Sequence, residues 1–300
     1  MKIIGVDNGN TVVKTSEGIE FENKVAAEIT EINKEDIKVI YEGNDYTLGV
    51  ETGSANISRN RHLKIQYKIS LLTSIAKSFT SENNIECKVV VGTPVELFNN
   101  KGHVESIKNT IMQWGPQKIT VNNVEKSIKI LDTEIFPEAG IVFSDKSRFK
   151  DEKTLIIDLG GSTVDISLWN GLRLETFKTY KEGMVTLYTK VITKVNKEEK
   201  TDLRNSQAKY MINKDEYMIN QKLTNIQYIK PVVELYVNNI ISEINQNFEL
   251  DKVNSIQLIG GGAIMLFNYF KEEYANAELV DNAAFANANT FKKIGEAIWL

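Results

Sequence analysis

At 300 residues, with 42% hydrophobic and 25% charged side chains, the chain has the make-up of a globular protein and the length for two domains. A formal net charge of −4 argues against broad, non-specific nucleic-acid binding. The single cysteine, Cys87, excludes an intrachain disulfide, and with only two histidines a His/Cys metal centre is not expected.

In chain order, Ile3 to Val6 is a short apolar run that ends at Asp7. The turn Asn8-Gly9-Asn10 follows, then Val12 to Thr15, a turn at Glu17-Gly18, and Ile19 to Glu22. Glycine after Asn or Glu suits the positive φ of a tight hairpin, so this stretch reads as three antiparallel strands. A further hairpin turns at Gly43-Asn44. Ile65, Ile69, Leu72, Ala76 and Phe79 recur at three- and four-residue steps, which predicts a helix over 65–79. The strand Lys88 to Val91 runs into Gly92-Thr93-Pro94, Val104 to Met112 is a second helix, and Asn122-Asn123 turns another hairpin. Glu138, in Phe136-Pro137-Glu138-Ala139-Gly140, is placed at a helix start.

Near residue 155 the opening pattern restarts. Leu155-Ile156-Ile157 leads into Asp158, then the turn Gly160-Gly161-Ser162-Thr163, the strand Val164 to Trp169, a turn at Asn170-Gly171, and Leu172 to Phe177. Asp7-x-Gly9 thus matches Asp158-x-Gly160, and each opens a three-strand meander. We read this as an internal structural duplication. A helix over Met184 to Val195 follows, then a polar Lys- and Asn-rich region at 196–228 that reads as a solvated subdomain. A helix starts at Pro231, where proline suits the first turn. Ser255 to Ile259 is a strand ending in Gly260-Gly261-Gly262-Ala263, and the last helix is expected over Thr290 to Trp299.

Three glycine-bearing loops therefore end predicted strands: Asp7 to Lys14, Asp158 to Thr163, and Gly260 to Ala263. Glycine lets backbone approach a phosphate closely and adopt unusual dihedrals. One such loop is often a plain turn; three in one chain point to a nucleotide. Asp7 and Asp158 beside phosphates require an intervening cation, and Mg²⁺ held through its waters supplies one. Lys14 offers a point charge to β/γ-phosphates. Glu138 is the candidate for orienting an attacking water, since phosphoryl transfer asks mainly for position and charge neutralisation.

These pieces, in this order, resemble the actin/Hsp70/sugar-kinase superfamily. Ile4 to Lys14 looks like its first phosphate motif, Leu155 to Asp165 like its second, and Leu258 to Ala263 like its adenosine motif. Pro137 to Gly140 and Ala286 to Gly295 fall where its two connecting segments belong. Within the superfamily the chain is most similar to the plasmid-segregating bacterial actins of the ParM type, on Val91-Gly92-Thr93-Pro94, Asp158 to Ile166 and Ala286-Asn287-Ala288-Asn289. The resemblance implies an α/β fold of two duplicated actin/RNase H-like domains. Each would have a mixed five-stranded sheet flanked by helices, with a nucleotide cleft between them. Domain I would span 1–147, rejoined by the C-terminal helix 288–300. Domain II would span 148–287, with a helical subdomain near 180–250.

The resemblance further implies Mg²⁺-dependent hydrolysis of ATP, with GTP left open, and head-to-tail filaments of the chain itself. Those filaments would move plasmid DNA through a ParR-like DNA-binding adaptor, with no specific DNA contact of the chain's own. Carried over by position, Asp7 and Asp158 would hold Mg²⁺ through water. Asn10, Thr11, Lys14, Gly160, Gly161, Ser162 and Thr163 would contact phosphates. Glu138, with Asp158, would serve hydrolysis. Gly260, Gly261, Gly262 and Ala263 would lie against the adenosine, and Glu182 would approach the ribose. The surfaces that build a filament carry no short motif. Two other readings stand beside this one: a small-molecule kinase of the same fold, and a membrane-linked division or pilus scaffold. No amphipathic terminal helix rich in Lys/Arg supports the latter. No apolar run approaches the ~18 residues of a membrane span. Met1-Lys2-Ile3-Ile4-Gly5 lacks a signal-peptide pattern, so a cytoplasmic location is expected.

Overall fold

The computed structural model describes residues 1–27, 36–50, 54–55 and 58–300. They form two compact units, Met1–Lys146 with Phe285–Leu300, and Ser147–Ala284.

The first unit holds strands β1 (Lys2–Asn8), β2 (Val12–Thr15), β3 (Glu20–Glu22), β4 (Lys24–Ala27), β5 (Ile37–Tyr41), β6 (Asn44–Leu48) and β7 (Ser54–Ala55). Helix α1 (Ile65–Ser78), strand β8 (Asn84–Thr93), helices α2 (Val95–Phe98) and α3 (Lys101–Met112), and strands β9 (Gln117–Val121) and β10 (Val124–Pro137) follow. Helix α4 (Lys146–Phe149) begins at the boundary. The second unit holds β11 (Lys153–Leu159), β12 (Val164–Asn170), β13 (Arg173–Tyr180), α5 (Met184–Glu199), α6 (Asn205–Ala208), β14 (Glu216–Ile219), β15 (Lys222–Asn225), α7 (Lys230–Asn247), β16 (Ser255–Ile259), α8 (Gly261–Glu273) and β17 (Ala277–Leu279). Helix α9 (Ala286–Trp299) returns to the first unit.

The duplication is plain in the sheets. In the second unit the order is β13-β12-β11-β16-β17: an antiparallel meander, then two parallel strands. In the first unit β3-β2-β1-β8-β10 repeats that order and those directions. Five strands were expected in each sheet, but among the described residues the first has ten. Its five-strand core continues through β9-β5-β6-β4-β7. The extension is possible because β10 is 14 residues long. Its first residues pair with β9, and an irregularity between Ile130 and Asp132 precedes the stretch that runs beside β8 to Pro137.

The central strands are buried on both faces, as parallel strands flanked by helices must be. Ile4 and Val6 of β1, with Val89 and Val91 of β8, join the α1 residues Ile69, Leu72 and Ile75 in one core. The alternate residues face α9: a methyl group added to Gly5 would lie 2.0 Å from the Ala288 carbonyl oxygen, and one on Gly92 would lie 2.8 Å from the Phe291 ring. Helix α9 starts four residues before the expected Thr290, so Asn287 sits in its first turn. Gly5→Ala must push α9 off the sheet, and overpacking of this kind costs about 1–3 kcal/mol. The expected result is a clear fall in the urea midpoint of unfolding; an unchanged midpoint would show that α9 yields without cost.

The polar region 196–228 departs from the solvated reading. It holds the end of α5, helix α6 and the hairpin β14–β15, and it buries Ala208, Met211, Ile212, Ile219 and Ile226 in one core with α5 and α7. Among the described residues, no helix is long and apolar enough to cross a membrane.

Candidate functional site

In the first unit the site begins where β1 turns into β2. Asp7 and Lys14 are direct partners across that antiparallel pair. Lys14 is only 8% exposed, with its ammonium 6.0 Å from the centre of the Phe285 ring. A lysine held inside, beside a carboxylate and an aromatic face, is a placed charge. Burial pushes the Asp7 carboxyl above its usual range, while Lys14, Arg61 and a hydrogen bond with Asn287 oppose that shift.

The loop itself is held from below. Asn23 donates to Asn8 Oδ1 at 3.2 Å and to the Gly9 carbonyl at 2.7 Å, and accepts from Ser70 Oγ of α1. Its backbone N–H donates to the Thr11 carbonyl at 2.8 Å. Gly9 cannot be replaced cheaply, because a methyl group there would lie 2.6 Å from the Val12 carbonyl oxygen. Asn10 and Thr11 are half-buried at the tip, and Asn10 Oδ1 accepts from Arg61 Nη1 at 2.9 Å.

Glu138 was expected at a helix start. It instead follows the last residue of β10 in a turn. Its N–H donates to the Thr93 carbonyl at 2.8 Å, which ties it to the end of β8. Ala139 then adopts a left-handed conformation with φ of 55°, fully buried, and donates its N–H to Asn287 Oδ1 at 3.1 Å. Such a conformation in a residue other than glycine costs about 1–3 kcal/mol and persists where surrounding contacts dictate it. The carboxylate of Glu138 lies 3.8 Å from Arg61 Nη2, both side chains being about seven-eighths buried. Sequence reasoning missed Arg61 and the role of Asn287.

The second unit carries the matching loop. Asp158 is 7% exposed near the end of β11, and its cross-strand partner on β12 is Asp165. Asp165 accepts from the hydroxyls of Thr163 at 2.7 Å and Thr179 at 2.5 Å, so it anchors the loop from behind. The loop carbonyls of Gly160 and Gly161 accept from the N–H groups of Met184 and Val185, both at 2.9 Å. A methyl group on Gly183 would meet the Gly161 carbonyl oxygen and the Thr163 nitrogen at 2.5 Å. The Glu182 carbonyl accepts from the Tyr236 hydroxyl at 2.7 Å, while its carboxylate pairs with Lys190 at 3.3 Å on the surface.

The third loop meets the second. Gly260 has φ of 88°, and a methyl group there would lie 2.5 Å from Asp158 Oδ1. Only glycine lets this backbone pass beside the carboxylate. Gly261, Gly262 and Ala263 then open α8, which has no side-chain N-cap; the Ala263 N–H donates to the Gly260 carbonyl at 3.3 Å, and the positive end of the helix favours a negatively polarised ligand. Within this unit the structure brings Asp158, Gly160 to Thr163, Gly183 and Gly260 together. Within the first it brings together Asp7, Asn10, Lys14 and Glu138, joined by Arg61.

The donor set bears on the metal. Among the described residues, no group of three or more His, Cys, Asp or Glu side chains gathers to ligate an ion. Single carboxylates beside glycine backbone, Asp7 half-buried and Asp158 buried, suit Mg²⁺, which keeps most of its waters and takes one or two carboxylates. The residues present fit that ion and would not form an all-protein cage.

Duplicated β-meander sheets, each with an Asp-x-Gly turn at the end of its first strand, define the actin class of α/β protein. The model of the N-terminal domain of actin-like proteins matches residues 5–140, and that of the C-terminal domain of the archaeal, MreB-like actin homologue matches 156–272. The chain belongs to the actin-like proteins. No curated protein matches it. Among solved structures, the archaeal actin homologue Ta0583 in complex with ADP is similar with a TM-score of 0.82 at 18% identity, over 99% of this chain and 100% of that one. A 15-stranded ParM filament from Clostridium botulinum gives 0.77 at 17% identity over 99% and 100%. The actin-like protein Alp7A gives 0.77 at 17% over 99% and 96%. At these identities the likeness is one of fold.

Proposed function

We propose that the protein is a Mg²⁺-dependent ATPase that assembles head to tail into filaments and segregates plasmid DNA through a DNA-binding adaptor. The observation that carries the nucleotide half is the pair of aspartates, Asp7 half-buried and Asp158 buried, each near the end of the first strand of a duplicated sheet and followed by a glycine turn. In this reading Asp7 and Asp158 hold Mg²⁺ through water. Asn10, Thr11, Lys14 and the Gly160–Thr163 loop take the phosphates. Gly260 to Ala263 lie against the adenosine, Glu182 approaches the ribose, and Glu138 orients the water. GTP is an alternative substrate to be compared directly.

Assembly and segregation rest on family likeness: Alp12 and the C. botulinum ParM were both solved as filaments. A heterologous contact that does not close a ring generates an open helical filament. Nucleotide shifts assembly only through its different affinity for the two forms of the chain. The expected result is a critical concentration lower with a non-hydrolysable ATP analogue than with ADP, read by light scattering and pelleting. The chain alone should show no specific DNA binding. Protein that hydrolyses ATP yet stays monomeric at tens of micromolar, with and without crowding agents, would favour a small-molecule kinase and overturn the filament reading.

A further inference from the structure

Two side chains tie the first phosphate motif to the turn that carries Glu138: Asn287, which bonds Asp7 and accepts from Ala139 N–H, and Arg61. Arg61 lies in a short 3₁₀ turn, Arg61–Leu63, just before α1. One guanidinium nitrogen, Nη1, donates to Asn10 Oδ1 at 2.9 Å. The other, Nη2, lies 3.8 Å from Glu138 Oε1. The guanidinium carbon sits 5.8 Å from the centre of the Tyr67 ring, and the Arg61 side chain is 12% exposed. A planar fork with fixed directions, backed by an aromatic ring, loses little freedom on binding and holds two acceptors at a set spacing.

The rest of Glu138 is fixed by its backbone. Its N–H is tied to Thr93, the next residue is locked in the left-handed region by Asn287, and a methyl group on Gly92 would lie 3.2 Å from Glu138 Cγ. These contacts set where the carboxylate is based. The nearby cation sets where its head points. At 3.8 Å the contact with Arg61 is an ion pair longer than a hydrogen bond, so it orients the carboxylate by charge.

We infer that Arg61 is a positioning residue for hydrolysis: it links Asn10, in the first phosphate loop, to Glu138, and so holds the carboxylate in the attitude that orients the attacking water. This rests on the reading of Glu138 as the water-orienting group. Arg61 acts through Glu138, and direct contact with the transferred phosphate is the competing role.

The test is a double-mutant cycle on single-turnover hydrolysis by the full-length chain in Mg-ATP, with Arg61→Gln, Glu138→Gln and the pair, alongside nucleotide affinity for each. Arg61→Gln should slow the chemical step on the order of 10-fold with the dissociation constant for ATP within about twofold. In the Glu138→Gln background it should slow it no further. Arg61→Lys, which keeps the charge and loses the fork, should restore only part of the rate. Losses that multiply in the double mutant, or ATP affinity that falls with the rate, would assign Arg61 to the phosphate and overturn the inference. A full rate in Arg61→Gln with Glu138→Gln slow would overturn it while leaving the role of Glu138 standing. A full rate in Glu138→Gln would remove both. If Arg61→Gln unfolds, which a thermal shift in ADP reports, the cycle is run with Arg61→Lys, and the same additive outcome decides against the inference.

Discussion

Asp158→Ala is expected to reduce phosphate release in Mg-ATP to background, a loss of at least ~10³-fold, which corresponds to about 4 kcal/mol of transition-state stabilisation. Asp158 is a 7%-exposed carboxylate at the strand end, and the Gly260 backbone passes so close that a methyl group there would touch its Oδ1. A buried anion in that position is costly unless a cation or hydrogen bonds offset it. Its removal should leave the apo protein folded. The change should fall on the nucleotide-bound state. Wild-type protein at a hundredfold excess of Mg-ATP over its dissociation constant should gain about 2.7 kcal/mol. The variant should lose most of that gain in Mg-ATP but little of any gain seen with ATP and EDTA. Wild-type protein with no thermal shift and no phosphate release in Mg-ATP or Mg-GTP would sink the ATPase reading altogether. A variant that hydrolyses at the wild-type rate would leave Asp158 as a turn aspartate serving its own loop.

The parts legible in the sequence are those whose signal is local. Asn8-Gly9-Asn10 and Asn170-Gly171 mark hairpin turns by residue type, and the restart of apolar-Asp-x-Gly at residue 155 is visible because strand and turn repeat together. Helix α1 was readable from one apolar face, since residues three and four apart in sequence share a face. What stayed hidden depends on contacts distant in sequence. Arg61 lies 51 residues from Asn10 and 77 from Glu138 along the chain, and no motif marks it. Ala139 takes a left-handed conformation that its side chain gives no reason to expect. The reason is Asn287, 148 residues away. A polar composition at 196–228 suggested a solvated segment, yet a few widely spaced residues such as Met211, Ile219 and Ile226 were enough to anchor it in a core built by α5 and α7. The extra strands of the first sheet escaped notice because β9 and β10 read as an isolated hairpin, and their pairing with β5 and β8 is set by the sheet.

Glu138→Ala should leave ATP affinity nearly intact and slow single-turnover hydrolysis on the order of 10²-fold, the size of effect seen when one pre-organised electrostatic contact is removed. The backbone of this turn does not depend on the carboxylate: the N–H of residue 138 keeps its bond to the Thr93 carbonyl, and Ala139 keeps Asn287. The fold should thus survive. The substitution does remove a counter-charge from Arg61, whose side chain is only 12% exposed, and a cation in that setting tolerates the loss poorly. Glu138→Gln preserves volume and an acceptor oxygen while removing the charge. If Ala and Gln slow hydrolysis alike and only Ala lowers the melting temperature, the kinetic effect belongs to the carboxylate's charge and the stability effect to its packing. Filaments, where they form, should persist longer after a pulse of ATP in both variants, because the triphosphate state that favours assembly decays more slowly. An unchanged single-turnover rate in Glu138→Gln would show that the strained turn at Ala139 positions a residue with no part in the chemistry. Faster filament disassembly in the slow variant would separate hydrolysis from filament lifetime.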